Sequence, residues 1–426
     1  MQGKRLQAVH IDDSHNIVAG YQRVRRQSEA LCAPLVTEDY GIQTAPEVSP
    51  PKWHIAHTSW FFETLLLKPY CRGYQPLNDS FATLFNSYYD TIGDCHPRPQ
   101  RGLLSRPTVG EVYAYRAHVD EHMAQLLDDN NHPQRSDIEK LTVLGMNHEQ
   151  QHQELFVTDI KHIFAYNPLR PVYRDIEIPR GRSAPALDWL AFAGGVQEVG
   201  FKGDGFAYDN ESPRHKVYLN DFRLASRPVT NGEFIAFIND GGYREPQLWL
   251  SDGWHTIARH NWQAPLYWEQ RDGGWWSMTL SGMQPVDEQA PVCHVSFYEA
   301  AAFARWAGKR LPTEQEWEVA AAGEPVLGNF VDNELLQPIA APQDSGLVQL
   351  YGDVWEWTQS AYTPYPGYRQ EYGALGEYNG KFMSSQMVLR GGSCATAFDH
   401  IRTTYRNFFY PHERWQFCGF RLAEDN

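Results

Sequence analysis

Through the first 165 residues, apolar side chains recur every three or four positions in four long runs. Side chains at that spacing share one face of an α-helix, so each run predicts an amphipathic helix. The first is HNIVAGYQRVRRQSEALCAPL (15–35), and the second, WHIAHTSWFFETLLL (53–67), follows the Pro50–Pro51 pair that suits a helix entrance. Pro107 and the capping box Thr108–Glu111 open the third, VYAYRAHVDEHMAQLL (112–127). A second box, Ser136 to Glu139, is expected to start the fourth, KLTVLGMNHEQQHQELFVTDIKHIFAY (140–166). Four long helices predict an antiparallel bundle, an architecture that builds metal sites from inward-facing side chains.

The helical period is lost in NPLRPVYRDIEIPRGRSAP, and residues 166–185 read as a linker laid across the surface. Beyond it come short strands, many glycines and tryptophans, and long loops, which predict an irregular α/β domain over 186–426. Two helices are legible there: SFYEAAAFARWAG, capped by Ser296 and stopped at Gly308, and TEQEWEVAAAG, with the box Thr313–Glu316 and a stop at Gly323. A chain of 426 residues exceeds the usual limit of one core, so a bundle over 1–165 and a second domain over 186–426 is the expected division.

Composition narrows the chemistry. The formal net charge of −15, without any basic run, opposes a nucleic-acid backbone or an anionic membrane and leaves small molecules as the expected partners. The start MQGKRLQAVHIDDSHNIV lacks the apolar core of a signal peptide, and a cytoplasmic protein is expected. Cys32, Cys71, Cys95, Cys293, Cys394 and Cys418 show no paired spacing and are expected to be reduced. Nothing marks a particular oligomeric state.

The segment MNHEQQHQEL places His148 and His152 four apart, one helical turn, where two imidazoles can face one point. Two ligands do not make a site, but WHIAHTSWFFE on another predicted bundle helix adds His54 and His57. Spacing alone leaves open which of that pair points inward.

PPKWHIAHTSWFFETLLL together with NHEQQHQELFV resembles the metal-binding bundle of the ergothioneine sulfoxide synthases, within the wider DinB-like family. The second half resembles the formylglycine-generating-enzyme-like (C-type-lectin-like) domain of the same enzymes, through PVCHVSFYEAAAFARWAGKRLPTEQEWEVAAAG, GDVWEWTQS, LRGGSC and CGFRLAED. Both sets in one chain are far more specific than either. The resemblance implies His57, His148 and His152 as ligands of iron(II), with His54 packing or supporting them. It implies O₂ as co-substrate and a reaction that joins a cysteine sulfur to C2 of the hercynine imidazole and oxidises that sulfur to a sulfoxide. Trp306, Trp317, Trp355 and Trp357 are expected as core anchors, and Gly391, Gly392 and Gly419 as tight backbone positions.

The same resemblance assigns the remaining residues. Tyr88 and Tyr89, in LFNSYYDTIGD, match a tyrosine pair of the cysteine-using branch and are the expected proton donors. Gln151 and Asn407 match amides that contact hercynine, Phe408 and Phe409 are candidates to flank its trimethylammonium, and Arg98 and Arg101 are candidates for the cysteine carboxylate. The γ-glutamylcysteine-using branch has Trp and Asp at positions 408 and 409, so this chain departs from it. It also departs from true formylglycine-generating enzymes, whose two copper-carrying cysteines are replaced by Thr396 and Ile401. Formylglycine formation is therefore not expected. The rival readings are a selenoneine synthase, a zinc or nickel thiol transferase of the DinB type, and a lectin-like binding protein. Ovothiol-type synthases, which usually add a methyltransferase domain, fit less well.

Overall fold

The computed structural model describes residues 16–179, 181–371 and 373–425. Four long helices form the bundle: α1 (Ile17–Cys32), α2 (Pro51–Phe62), α3 (Val109–Asp128) and α4 (Arg135–Tyr166). Pro51 occupies the first turn of α2, where a missing N–H costs nothing. The Thr108–Glu111 box caps α3 as expected. The expected box at Ser136 does not form: α4 begins one residue earlier with no side-chain cap, and Glu139 instead pairs with Arg135 at 2.7 Å. Ser136 thereby falls inside the first turn, past the capping position, so its box with Glu139 cannot form.

All twelve residues of α2 are buried, because the helix is covered by its neighbours on one side and by loops on the other. Gly145 lets α4 come close to it, since a Cβ there would lie 2.4 Å from the Phe62 ring. Beneath this contact, buried Glu149 accepts from Arg25 at 2.8 Å, Arg116 at 2.7 Å and Ser28 at 2.6 Å, joining α1, α3 and α4. A buried carboxylate satisfied by two guanidinium groups fixes helix register; removing one partner would strand a charge.

No helix or strand occurs among the described residues of 167–188, yet Tyr173 is buried and donates to the Leu31 carbonyl of α1, while its own N–H reaches Leu280 O at 2.9 Å. The second domain is built of small sheets. A four-stranded one orders Asn407–Phe409, Met387–Arg390, Trp355–Ala361 and Cys418–Gly419, and a three-stranded one orders Trp189–Phe192, Phe222–Ala225 and Ala423–Asp425. The two expected helices are present as Phe297–Trp306 and Glu314–Ala320, with both capping boxes formed. Two further helices, Asn231–Asn239 and Ser251–His260, were not expected. Trp317, Trp355 and Trp357 are buried anchors, whereas Trp306 is only half-buried, its indole N–H held by Asp240 at 2.8 Å. Gly391, at φ +98°, has no room for a side chain: a Cβ would stand 2.4 Å from the Leu350 carbonyl oxygen.

The domains meet along α4. Half-buried Glu154 on that helix accepts from Trp355 Nε1 at 2.6 Å, Ser393 Oγ at 2.7 Å and Thr396 Oγ1 at 2.8 Å. All six cysteines are free. Among the described residues, no helix is long and apolar enough to cross a membrane.

Candidate metal centre

His57 on α2 and His148 and His152 on α4 bring one ring nitrogen each within 4.8 Å of one another. The i, i+4 spacing puts the two α4 rings on the face turned to α2, edge-on to each other with centroids 4.6 Å apart. Aromatic walls hold the rings in place: Trp53 lies flat on His57 at 4.5 Å and 11°, Trp60 covers the same ring at 5.4 Å, and Phe61 stacks on His148 at 4.4 Å. His57 Nδ1–H donates to the Phe85 carbonyl at 2.6 Å, which leaves Nε2 as a lone pair 3.2 Å from His148 Nε2.

Burial disfavours the imidazolium of all three, reinforced at His57 and His152 by neighbouring rings, and brings His148 down to about 3. The rings are therefore neutral σ-donors at physiological pH. Three neutral nitrogens converging without a carboxylate form a donor set for a borderline divalent metal, with coordination positions left over for small ligands.

His54 faces away from the cluster. Its Nδ1 lies 3.0 Å from His152 Nδ1, and its Nε2 lies 2.9 Å from Asp159 Oδ2.

The other site residues expected from sequence fall into distinct positions. Arg101 is buried with its guanidinium 3.3 Å over the Trp53 ring; it donates to Ser49 Oγ at 3.0 Å and Ser87 Oγ at 3.1 Å, and its Nε–H has no partner. Burial, with Arg98 nearby, disfavours its charge, and among the described residues no carboxylate bonds to it. Arg98 is exposed and donates to the Glu47 carbonyl.

Tyr89 packs against Trp60 at 5.4 Å and Tyr88 stacks on Tyr89 at 4.7 Å. The buried Tyr89 hydroxyl finds no partner of normal geometry. Their loop is pinned from the other domain by Glu377, which accepts the N–H groups of Asp90 and Thr91, each at 2.9 Å, while Lys381 donates to the Tyr88 carbonyl. Burial raises both phenols, Tyr88 to about 12, so each keeps its proton.

Gln151 donates to the Tyr405 hydroxyl at 2.6 Å and accepts from the Tyr378 hydroxyl. Asn407, Phe408 and Phe409 occupy consecutive positions of one strand, and a strand turns alternate side chains to opposite faces. Asn407 and Phe409 therefore share a face, Phe409 edge-on to Trp415 at 5.5 Å, whereas Phe408 stacks on Tyr362 at 4.0 Å on the other. Two phenylalanines flanking one cation from this strand would need both on one face; the pleat separates them.

Sequence reasoning missed Tyr378 and Asp159. The Tyr378 ring meets His148 edge-on at 5.7 Å and stacks on Tyr208 at 5.4 Å, so a second-domain phenol lies against the cluster. It sits in a loop with no periodic signal. Asp159 follows His152 by seven residues, two turns along the same face, and that spacing could have revealed it. A cavity of about 1140 Å³ between α1, α4 and the loops carrying Tyr208 and Tyr378 is lined by both of those rings and by Asn147 and Gln150.

Residues 21–156 match the DinB superfamily, and residues 178–341 and 331–426 match the sulfatase-modifying factor enzyme 1-like domain. The chain is 32% identical over 413 residues to the hercynine oxygenase of Mycolicibacterium thermoresistibile, covering 90% of this chain and 89% of that one. It is 33% identical over 411 residues to the hercynine oxygenase of Mycolicibacterium smegmatis, covering 90% and 92%. The formylglycine-generating enzyme of Streptomyces coelicolor, at 29% over 268 residues, matches 52% of this chain, so likeness to that enzyme stops short of the whole. Full-length similarity that takes in both the histidine-bearing bundle and the second domain places the chain in the hercynine oxygenase family.

Proposed function

We propose that the protein is an iron(II)-dependent sulfoxide synthase that uses O₂ to join the sulfur of L-cysteine to C2 of the hercynine imidazole, giving hercynylcysteine sulfoxide. Carbon–sulfur bond formation and sulfur oxidation together withdraw four electrons, which reduce O₂. One oxygen atom ends on sulfur, and the other leaves as water with the C2 and thiol hydrogens.

The reading is carried by the neutral three-histidine cluster at the domain seam, with a buried guanidinium over Trp53 that bonds to no carboxylate among the described residues. Iron(II) held by His57, His148 and His152 would supply a redox-active centre with positions open to O₂ and a thiolate. The chain's own groups do the rest. Arg101, whose N–H donors are only partly used, binds the cysteine carboxylate and turns its thiol toward the cluster. Gln151 and Asn407 orient hercynine, and Phe409 offers an aromatic face on the Asn407 side. Three phenols that stay protonated are the candidate proton donors: Tyr378, edge-on to His148, and Tyr89 and Tyr88, stacked outward from Trp60, which covers His57. Phe408 and Phe409, in place of Trp and Asp, favour free cysteine over γ-glutamylcysteine.

The test is oxygen uptake by protein loaded anaerobically with iron(II), with products identified by mass spectrometry. Uptake that requires both hercynine and cysteine, yields the sulfoxide, and disappears in His148→Ala is expected. Turnover with a selenosugar and not cysteine, or undiminished activity in the zinc-loaded protein, would overturn the proposal.

A further inference from the structure

The three imidazoles of the cluster are supported unequally. His57 leans on a backbone carbonyl, and His148 Nδ1 is buried without a protein partner. His152 alone is backed by a chain of side chains: His54 Nδ1 at 3.0 Å, then Asp159 Oδ2 at 2.9 Å from His54 Nε2.

We propose that His54 and Asp159 form a positioning relay that fixes the tautomer and ring orientation of His152, and that Trp415 ties the relay to the second domain. The inference rests on reading His57, His148 and His152 as a metal site.

Proton positions follow from the far end of the chain. Asp159 accepts from two unambiguous donors, the Ser49 backbone N–H at 2.8 Å on Oδ2 and the Trp415 indole N–H at 3.0 Å on Oδ1. Its carboxylate is an acceptor toward His54 as well, so His54 carries its proton on Nε2. A ring carrying one proton there presents Nδ1 as a lone pair, which obliges His152 to place its own proton on Nδ1. The lone pair of His152 then stands on Nε2, available to the cluster. Reversing any step would put a proton on Nε2 and block it as a ligand.

The last contact crosses domains. Trp415 belongs to the segment following the Asn407–Phe409 strand, and Phe409 packs edge-on to its ring. Seating of the second domain thereby enters the hydrogen bonding behind a bundle histidine. Partners behind a ligating imidazole set its basicity and orientation, and losing one commonly costs about 10- to 100-fold in metal affinity.

Asp159→Asn conserves volume but offers one oxygen where two accept, so its amide N–H₂ must face either Trp415 or the His54–Ser49 side. His54→Phe removes the relay among neighbours, Trp53 and Phe156, that tolerate an aromatic ring. The full chain is titrated with cobalt(II), followed by its ligand-field absorption and by the hyperfine-shifted, exchangeable imidazole N–H resonances. We expect cobalt affinity to fall about 10- to 100-fold in both variants, with the His152 N–H resonance lost or exchanging rapidly. Trp415→Phe should move both readouts the same way by less. Wild-type affinity and an unaltered N–H resonance in a folded His54→Phe or Asp159→Asn protein would overturn the relay while leaving the metal site standing. Wild-type protein that binds cobalt no better than His148→Ala would remove the metal site itself, and the relay with it.

Discussion

Replacing Arg101 by methionine tests how the buried guanidinium is used. A guanidinium has five N–H donors; two are spent on the Ser49 and Ser87 hydroxyls, so three remain, Nε–H among them. Methionine keeps an apolar stem over Trp53 and removes only the charge and the donors. A charge-assisted pair of hydrogen bonds to a carboxylate contributes about 2–3 kcal/mol, or about 30- to 150-fold in the KM for cysteine. Hercynine KM should be unchanged, and so should the KM for cysteamine, which lacks the carboxylate. Stability should hold or rise in Arg101→Met, because the free protein carries a desolvated cation with no carboxylate bonded to it, only the more distant Asp159 offsetting its charge. Steady-state kinetics with both thiols and a thermal melt check all of these. An unchanged cysteine KM, or equal losses for cysteine and cysteamine, would refute the carboxylate role; a melting point several degrees lower would show that the guanidinium is structural.

The hercynine contacts make a second prediction: Gln151→Ala and Asn407→Ala should each weaken hercynine binding by about 1–3 kcal/mol, the range for a stranded polar partner, as read by calorimetry on the metal-loaded protein. Single phenylalanine replacements at Tyr88, Tyr89 and Tyr378 should retain iron, and the one that removes the proton donor should shift product from the C–S adduct toward cysteine sulfinic acid. A normal product ratio in all three would place the donor elsewhere. Glu377→Gln should speed hydrogen exchange at the Asp90 and Thr91 amides without altering metal affinity. Lys381 and the Thr91 and Asp90 donors outweigh burial and hold the Glu377 carboxyl down at about 2, so this protection should persist at pH 5 and fade only as pH falls from about 4.5 through about 2.

The bundle was legible because its helices are long and periodic, and one turn of helix is enough to place His148 and His152 together. Choosing His57 over His54 was not a matter of spacing: both lie on α2 and both are buried, and only packing across to α4 separates a ring facing the cluster from a ring facing Asp159. In the second domain, the helix Asn231–Asn239 did carry a signal, the Thr230–Glu233 capping box, whereas Ser251–His260 starts without a side-chain cap. Tyr378 left no trace in the pattern because its place is set by long-range contacts, to Gln151 and Tyr208, that no local rule encodes.

Neither domain would make the proposed site alone. The bundle contributes the cluster and Arg101, yet the loop bearing Tyr88 and Tyr89 is held by Glu377, and Gln151 is held by Tyr378 and Tyr405, all from the second domain. Thr396 shows how that dependence is built. Its hydroxyl donates to Glu154, two residues beyond His152 on α4. A thiol would be a poor donor to that carboxylate, and without Thr396, Ser393 and Trp355 it would lose three charge-assisted hydrogen bonds, at a cost of several kcal/mol together. Three donors from the second domain thus seat the helix that carries His148 and His152.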